Sequence, residues 1–254
     1  PYVRGTAELM APYVKDEQII VNVAKGIEEK TLMTMTDIIS EEIPAVGVYV
    51  LSGPSHAEEV GRGIPTTCVI SGPRRETAEY LQGIFMSPVF RVYTTPDTLG
   101  VELGGSLKNV IALAAGTADG LGYGDNTKAA LITRGIAEIA RLGTKMGAHM
   151  ETFYGLSGMG GLIVTCASVH SRNRKAGYLM GKGYTMQQAM NEVKMVVEGV
   201  YSAKAAKSLA EKYDVEMPII MEVNKVLFED KSAADAVRDL MIRDKKVETP
   251  MLPW

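Results

Sequence analysis

The sequence predicts an α/β unit followed by an all-helical unit. Four short apolar runs, typical of buried strands, alternate with helical patterns over the first 94 residues. From residue 95 onward only helical spacing recurs, interrupted by glycines and prolines. Strands that alternate with helices favour a doubly wound sheet. We therefore predict two domains, a partial doubly wound α/β domain over residues 1–94 and an all-helical domain over residues 95–254.

The elements of the predicted α/β domain follow from short patterns. Strands are predicted at residues 18–24, 46–51, 66–70 and 90–93, and helices at residues 6–13, 29–39 and 75–86. The first run is nearly continuous in apolar residues, which is typical of a strand buried on both faces of a parallel sheet. Lys25 and the turn Gly53-Pro54-Ser55 directly follow predicted strand ends, where open α/β sheets bind their ligands. This placement predicts a site, although a solvated lysine and a plain turn into the helix after Ala57 remain alternatives.

One long helix dominates the predicted second domain. Residues 98–118 are apolar on almost every side, which is typical of a helix at the centre of a domain. Small residues at 104–106, 112 and 115 would let neighbouring helices approach closely. Further helices are predicted at residues 128–146, 185–192, 200–213, 218–228 and 233–241. We interpret Gly158-Met159-Gly160 as part of a loop and residues 250–253 as a terminal tail.

Composition excludes several classes of function. The formal net charge is −3, with 27 Lys and Arg against 30 Asp and Glu, so neither nucleic-acid binding nor membrane-surface binding is expected. The sequence shows no signal peptide and no apolar run long enough for membrane insertion. Two cysteines, Cys68 and Cys166, make no disulfide framework, which indicates a cytoplasmic location. His149 and His170 have no partner at metal-ligand spacing, so no metal is expected.

Lys108 lies inside the predicted apolar helix. A lysine in such a place is costly unless it is paired or functional. Burial, or a second ammonium nearby, lowers a lysine pKa toward the range in which it serves as a general acid or base. The alternative is a lysine whose ammonium reaches solvent at the helix edge. Asn109 beside it would either orient a substrate oxygen or make a helix-packing hydrogen bond.

Residues 171–175, Ser-Arg-Asn-Arg-Lys, form a basic cluster with hydrogen-bonding neighbours. Arginine presents a fork of N–H donors that matches phosphate oxygens, and serine and asparagine add neutral donors. The cluster predicts a site for a small phosphorylated molecule, with a solvated loop as the alternative. Cys166 has no recognisable base near it in sequence, so we interpret it as a buried structural thiol.

A dinucleotide-binding turn does not occur in the sequence. Such a turn has the pattern G-x-G-x-x-G between a strand and a helix, which brings pyrophosphate to backbone N–H groups. Gly158-Met159-Gly160 offers only the first two glycines, because position 163 is Ile163. Either the chain binds no dinucleotide, or the first strands of the domain precede Pro1, which we do not expect to be a native start.

Five segments, taken in order, carry a resemblance to a known family. They run from Val23 to Glu28, Leu51 to Glu59, Glu102 to Ala112, Ala118 to Lys128, and Gly158 to Cys166, the last being followed by Ser171-Arg172-Asn173-Arg174. With these segments at family-like spacings, the chain resembles bacterial NAD(P)-dependent glycerol-3-phosphate dehydrogenase essentially end to end. The resemblance implies a Rossmann-like domain followed by a helical domain.

The resemblance also implies a reaction and a set of site residues. The reaction is reversible hydride transfer between NADH or NADPH and dihydroxyacetone phosphate, giving sn-glycerol 3-phosphate for glycerophospholipid synthesis. Lys108 would be the catalytic proton donor and acceptor. The resemblance places Lys25, Gly53, Ser55, Lys108, Asn109, Ser171, Arg172 and Asn173 at the substrate, and Lys25, Ala57, Arg172, Val196 and Glu198 at the cofactor. A homodimer is compatible with it.

Two departures from the family pattern bear on activity. The family begins with a G-x-G-x-x-G strand, turn and helix, so we expect an N-terminally truncated chain with little cofactor affinity or turnover. Gly161 stands where the family has an aspartate that contacts substrate near the catalytic lysine, so a charge-assisted hydrogen bond of about 1.5–3 kcal/mol is expected to be missing. Two alternatives remain: a related β-hydroxyacid-type dehydrogenase, and a non-catalytic relative that binds a phosphometabolite.

Overall fold

A computed structural model describes residues 2–44 and 47–248 of the chain. Its sheet has four strands in the order β1-β2-β3-β4. The strands are β1 (Ile19–Asn22), β2 (Gly47–Ser52), β3 (Thr66–Ser71) and β4 (Phe90–Thr95). The β1–β2 and β3–β4 pairs are parallel, whereas β2 and β3 are antiparallel. The four predicted strands are therefore present in a mixed sheet, although Val46 and the predicted tail at 250–253 lie outside the described residues.

The first strand, predicted over residues 18–24, differs from the prediction in length and in burial. The strand β1 is shorter than residues 18–24, and of its four residues only Asn22 is buried. β1 stands at one end of the strand order and pairs with β2 alone among the described strands. The interpretation of this run as a strand buried on both faces is therefore wrong.

Four helices accompany the sheet: α1 (Val3–Met10), α2 (Met35–Glu42), α3 (Ala57–Val60) and α4 (Arg75–Phe85). The predicted helix over residues 29–39 is wrong at its start. Leu32 has a φ of 61°, which turns the chain, and Thr34 then caps α2 in a capping box with Asp37. The reciprocal bonds of that box place the helix start at Met35.

The helix α5 (Thr98–Leu121) is buried along nearly its whole length, as its apolar pattern predicts. It packs closely on α9 (Arg172–Gly181), where glycines of the two helices face each other. A Cβ at Gly116 or Gly120 would overlap the backbone of α9, and one at Gly177 or Gly181 would overlap the backbone of α5. The two helices are thus held in backbone contact, and their relative position tolerates little change.

The remaining helices complete the helical part of the chain. They are α6 (Asp125–Lys145), α7 (Met150–Phe153), α8 (Gly161–Ala167), α10 (Met186–Val193), α11 (Glu198–Lys212), α12 (Pro218–Phe228) and α13 (Ala233–Met241). The bounds of α12 and α13 are those that the sequence predicts. Within the described residues, no single helix is long and apolar enough to span a membrane. One bent pair of helical segments, Met150–Ala167 together with Arg172–Gly181, has the required length and composition.

Two segments are helical, one that was predicted as a loop and one for which a solvated loop was the alternative. Residues Leu156–Gly160 form one π-helical turn that continues directly into α8, so Gly158-Met159-Gly160 is not a loop. The turn packs against α7, and a Cβ at Gly158 would overlap the Phe153 backbone. The basic cluster at 171–175 opens α9 instead of lying in a loop, because the Ser171 side chain caps the helix by accepting the Arg174 N–H.

Two buried carboxylates join helices by capping them. Glu102 on α5 accepts the Thr36 N–H of α2 at 3.0 Å, and Glu138 on α6 accepts the Ile219 and Ile220 N–H groups of α12 at 2.9 and 3.3 Å. Burial raises the pKa of both groups, and that of Glu138 to about 7. Each carboxylate satisfies N–H groups that a helix start leaves unpaired, so it ties two distant segments together.

We expect Glu138→Ala to lower the free energy of unfolding by about 1–3 kcal/mol at pH 8, because two buried N–H groups of α12 would lose their acceptor. Urea denaturation measures this change. Glu211→Ala, on the exposed side of α11, is the matched control and should change stability by less than about 0.5 kcal/mol. Equal effects of the two substitutions would contradict the capping role.

Candidate active site

A cavity of about 550 Å³ opens where the ends of β1 and β2 meet the helices α5, α9 and α11. Every residue that the sequence predicts for the site lines it. These residues are Lys25, Gly53, Ser55, Ala57, Lys108, Asn109, Ser171, Arg172, Asn173, Val196 and Glu198. Residues as far apart in the chain as Lys25 and Glu198 are thus brought to one concave surface, which is the usual form of a small-molecule site.

The Lys108 side chain is buried at the floor of this cavity. The residue is 5% exposed, so its ammonium does not reach solvent at the helix edge. Its Nζ donates a long hydrogen bond of 3.5 Å to the Gly161 carbonyl. Burial is the main cause that lowers the pKa of Lys108 to about 7, and the nearby positive charge of Lys25 lowers it further. Near neutral pH this group is therefore present in both its proton-donating and its proton-accepting forms.

Lys25 supplies the second ammonium of the cavity. It follows β1 and is partly exposed to the cavity. Burial lowers its pKa, while the negative charge of Glu198 acts in the opposite direction. Two partly desolvated ammonium groups in one cavity make a place where negative charge is favoured.

The start of α9 contributes three side chains to the cavity wall. Arg172, about a third exposed, pairs with Glu198 at 2.6 Å. Asn173 is buried, and its Oδ1 accepts the Gly199 N–H at 2.8 Å, which fixes the orientation of the amide. Ser171 caps the helix. The first turn of a helix of this length carries partial positive charge, which adds to the charge of Arg172.

The predicted basic cluster divides in the structure. Arg174 turns away from the cavity and pairs with Asp119 at 2.7 Å, and Asp119 also pairs with Lys128 at 3.0 Å. Lys175 is exposed. Only the first three residues of the cluster line the cavity, because successive side chains of a helix point in different directions. The cluster therefore provides one arginine to a ligand instead of two.

The turn after β2 holds Gly53 and Ser55 at the cavity mouth. Gly53 has a φ of 151°, and a Cβ there would lie 3.0 Å from the backbone of Cys68 on β3. A glycine is needed at this position both for the backbone angle and for the close approach. The Ser55 hydroxyl donates to the Gly53 carbonyl at 3.4 Å, which keeps the turn compact.

Several residues of the cavity were not predicted. They include His56, Thr165, His170, Tyr201 and Ser202. The ring centroids of His56 and His170 lie 6.1 Å apart, and burial lowers the pKa of His56. In the sequence, His56 follows Ser55 and His170 precedes Ser171. Their position next to predicted site residues could have indicated that they line the cavity.

No sequence signal pointed to Thr165, whose hydroxyl donates to the Gly161 carbonyl at 2.6 Å beside Lys108. The thiol of Cys166 is buried, and burial raises its pKa to about 12, so it is no nucleophile, as predicted. No group of three or more metal-ligating side chains is found in the part of the chain that the structure describes.

Position 161 faces Lys108 directly. A Cβ on Gly161 would lie 2.9 Å from Lys108 Nζ. The backbone of Gly161 has φ and ψ of −63° and −38°, which any residue adopts, so the backbone does not require glycine here. A longer side chain at this position would meet the flexible end of the lysine, and a carboxylate would pair with it.

Comparison with known proteins agrees with this arrangement. The family models for the N-terminus and C-terminus of NAD-dependent glycerol-3-phosphate dehydrogenase match residues 1–78 and 97–238. A protein of Agathobacter rectalis named glycerol-3-phosphate dehydrogenase (NAD(P)+) is 68% identical over 253 residues, which are 100% of this chain and 75% of that protein. A protein of the same name from Fusobacterium nucleatum is 66% identical and covers 97% of this chain and 74% of its own length.

A solved structure has the same fold. The crystal structure of glycerol-3-phosphate dehydrogenase from Coxiella burnetii superposes with a TM-score of 0.92 at 35% identity, covering 95% of this chain and 74% of that one. This chain therefore spans about three quarters of the length of the relatives that it matches.

We expect Gly161→Asp to raise the pKa of Lys108 above about 7, because the new carboxylate would lie against the ammonium and favour its charged form. The ¹³C NMR titration of reductively dimethylated lysines measures this pKa, with the Lys108 signal assigned from Lys108→Arg. Gly160→Asp is the matched control, since its Cβ would face Gly155 and Pro54. An unchanged titration in Gly161→Asp would show that position 161 does not act on Lys108.

The same substitution should change how stability depends on pH. An unfolded lysine keeps its proton up to about pH 10.5, whereas Lys108 in the folded chain loses its proton near pH 7. The unfolded state therefore binds more protons between these values, and the free energy of unfolding rises with pH across this window. A smaller rise is expected in Gly161→Asp than in the wild type.

Proposed function

The chain belongs to the NAD-dependent glycerol-3-phosphate dehydrogenase family, and we propose that its cavity performs the reaction of that family. The reaction is reversible hydride transfer between NADH or NADPH and dihydroxyacetone phosphate, which gives sn-glycerol 3-phosphate. The observation that carries the proposal is the buried Lys108, with a pKa of about 7, in the same cavity as Arg172 at a helix start. A proton-transfer group and a phosphate-binding group are the two parts that this substrate needs.

Arg172 and the start of α9 hold the phosphate. The guanidinium fork of Arg172 matches two phosphate oxygens, and the helix start adds backbone N–H groups and partial positive charge. Asn173 supports this part of the site, because its bond to the Gly199 N–H presents its NH₂ as the remaining donor. Glu198 pairs with Arg172 in the structure, and this ion pair breaks when the phosphate binds the guanidinium.

Lys108 transfers the proton. In reduction, the protonated Nζ gives a proton to the C2 carbonyl oxygen of dihydroxyacetone phosphate while the C2 carbon receives a hydride. In oxidation, the neutral Nζ takes the proton from the C2 hydroxyl as the hydride leaves. A pKa near the working pH suits both directions. The Lys25 ammonium stabilises the negative charge that develops on the oxygen.

The residues present fit the reacting end of a dinucleotide. Ala57 and Val196 are small and apolar, and they line the cavity together with the charged Lys25 and Glu198. This wall suits a flat ring that carries a polar carboxamide. NADH or NADPH, when bound, supplies the hydride. The sequence contains no G-x-G-x-x-G turn, the pattern that binds the pyrophosphate of a dinucleotide.

The product points to a cellular role. sn-Glycerol 3-phosphate is the backbone of glycerophospholipids, so supply of this precursor is the role that we assign to the reaction. The two free, buried cysteines support a reducing compartment such as the cytoplasm.

Lys108→Met should lower kcat for dihydroxyacetone phosphate reduction by about 10²–10⁴-fold, because general acid catalysis would be lost. NADH and NADPH oxidation measures this effect, and intact mass of the same sample shows which chain is being assayed. Lys175→Met, at an exposed position of α9, is the control and should retain wild-type turnover. Wild-type oxidation of a 3-hydroxy acid without turnover of dihydroxyacetone phosphate would overturn the proposed substrate.

Arg172→Lys should weaken the binding of glycerol 3-phosphate by about tenfold or more, because a lysine cannot replace the two parallel bonds of a guanidinium. Isothermal titration calorimetry measures the Kd without any need for cofactor. Arg174→Lys is the matched control, since Arg174 pairs with Asp119 away from the cavity. Equal weakening in both variants would show that Arg172 has no special role toward phosphate.

A further inference from the structure

Ser106 lies on α5, two residues before Lys108, and its buried hydroxyl holds the loop that carries Lys25. The Gly26 N–H donates to Ser106 Oγ at 2.9 Å, and Ser106 Oγ donates to the Gly26 carbonyl at 3.1 Å. A single hydroxyl therefore satisfies both polar backbone groups of one loop residue, 80 residues away in the chain. Such a double contact fixes the loop more firmly than either bond alone.

The Gly26 N–H belongs to the peptide bond that joins it to Lys25. Because that peptide is planar, a bond to its N–H also holds the Lys25 Cα and carbonyl group, which lie in the same plane. Gly26 has a φ of 149°, which L side chains rarely adopt, so a glycine is favoured directly after Lys25. The two hydrogen bonds of Ser106 therefore act on the residue that follows Lys25.

Gly105, beside Ser106, provides the surface over which the Lys25 side chain passes. A Cβ at Gly105 would lie 3.9 Å from Lys25 Cγ and 2.9 Å from Ser52 Oγ. The methylene groups of Lys25 therefore pass within ordinary van der Waals distance of position 105 on α5, whereas a side chain there would crowd Ser52. Gly105 and Ser106 thus contact the Lys25 side chain and the residue after it, and both lie on the helix that also carries Lys108.

We propose that Ser106 is a positioning residue of the active site, whose hydroxyl clamps Gly26 and so holds the Lys25 ammonium at a set distance from Lys108. The clamp itself follows from the hydrogen bonds, and its catalytic meaning rests on the proposed function. Because Ser106 and Lys108 lie on one rigid helix, the separation of the two ammonium groups depends on the clamp and on the Lys25 and Lys108 side chains.

The clamp has a measurable electrostatic consequence. The positive charge of Lys25 disfavours a second positive charge on Lys108, so it lowers the pKa of Lys108. The other groups that act on Lys108 include Glu198, the thiols Cys166 and Cys68, and His56, none of which is bonded to Ser106. Loss of the hydroxyl would free the loop, and we expect the Lys25 ammonium to move away from Lys108, because the two like charges repel each other.

The ¹³C NMR titration of dimethylated lysines tests this inference. In Ser106→Ala the pKa of Lys108 should rise by about half a unit or more, because the like charge moves away. Ser106→Thr retains the hydroxyl and should keep the wild-type value. Ser71→Ala is the matched control, because Ser71 is also a buried serine whose hydroxyl joins the sheet to α5, 2.9 Å from Thr98 Oγ1, but it does not line the cavity.

A double-mutant cycle with Lys25→Met separates positioning from stability. If Ser106 acts through Lys25, then Ser106→Ala should leave the pKa of Lys108 unchanged in the Lys25→Met background. If the Ser106 hydroxyl had only a structural role, its loss would lower the free energy of unfolding without changing the pKa of Lys108. An unmoved pKa in Ser106→Ala, or an equal rise in both backgrounds, overturns the proposal.

The titration needs neither cofactor nor turnover, so its result does not depend on the proposed reaction. Absence of glycerol 3-phosphate binding in the wild type, measured by calorimetry, would count against the proposed function and leave the clamp testable. Normal binding with an unmoved pKa in Ser106→Ala would instead count against the clamp alone.

Discussion

The Lys108 ammonium is buried on a mostly apolar helix, and the groups around the cavity determine the free energy of that buried charge. Desolvation disfavours the charged form, and Lys25 opposes it further. Position 161 offers Lys108 a backbone carbonyl at 3.5 Å instead of a carboxylate. The balance leaves the lysine near its midpoint of ionisation at neutral pH, where a group that both gives and takes a proton works best.

The position of α5 is set by its neighbours more than by its own sequence. Glycines bring it into backbone contact with α9, and Glu102 ties it to the start of α2. The contact with α9 matters for function, because α9 carries Arg172 and Asn173 while α5 carries Lys108. The distance between Lys108, the proposed proton-transfer group, and Arg172, the proposed phosphate-binding group, is therefore set by helix packing, which tolerates little change.

The ion pair with Glu198 orients the guanidinium of Arg172 without binding it strongly. Both side chains are partly exposed, at 37% and 26%. An ion pair at this exposure contributes no more than about 1 kcal/mol. A phosphate dianion, which offers bidentate and charge-assisted bonds, competes for the guanidinium at little cost. The pair thus orients Arg172 toward the cavity before a ligand arrives.

The sequence by itself determined the alternation of strands and helices, the buried central helix, the bounds of α12 and α13, and the residues that meet at the cavity. Apolar periodicity and strand-end placement report burial and local backbone preference, and the family motifs supplied the remaining site residues. The start of α2 at Met35 follows from the local capping box of Thr34 with Asp37, which a sequence pattern can show. Only the tertiary structure decided that the turn at 156–160 is helical, that Arg174 faces away, and that Thr165 and Ser106 adjoin the two lysines. The places of Arg174, Thr165 and Ser106 depend on which polar groups meet across 50 to 80 residues of chain, as Lys108 meets Gly161 and Ser106 meets Gly26. Such contacts arise from the packing of whole elements, and no local pattern of residue types encodes them.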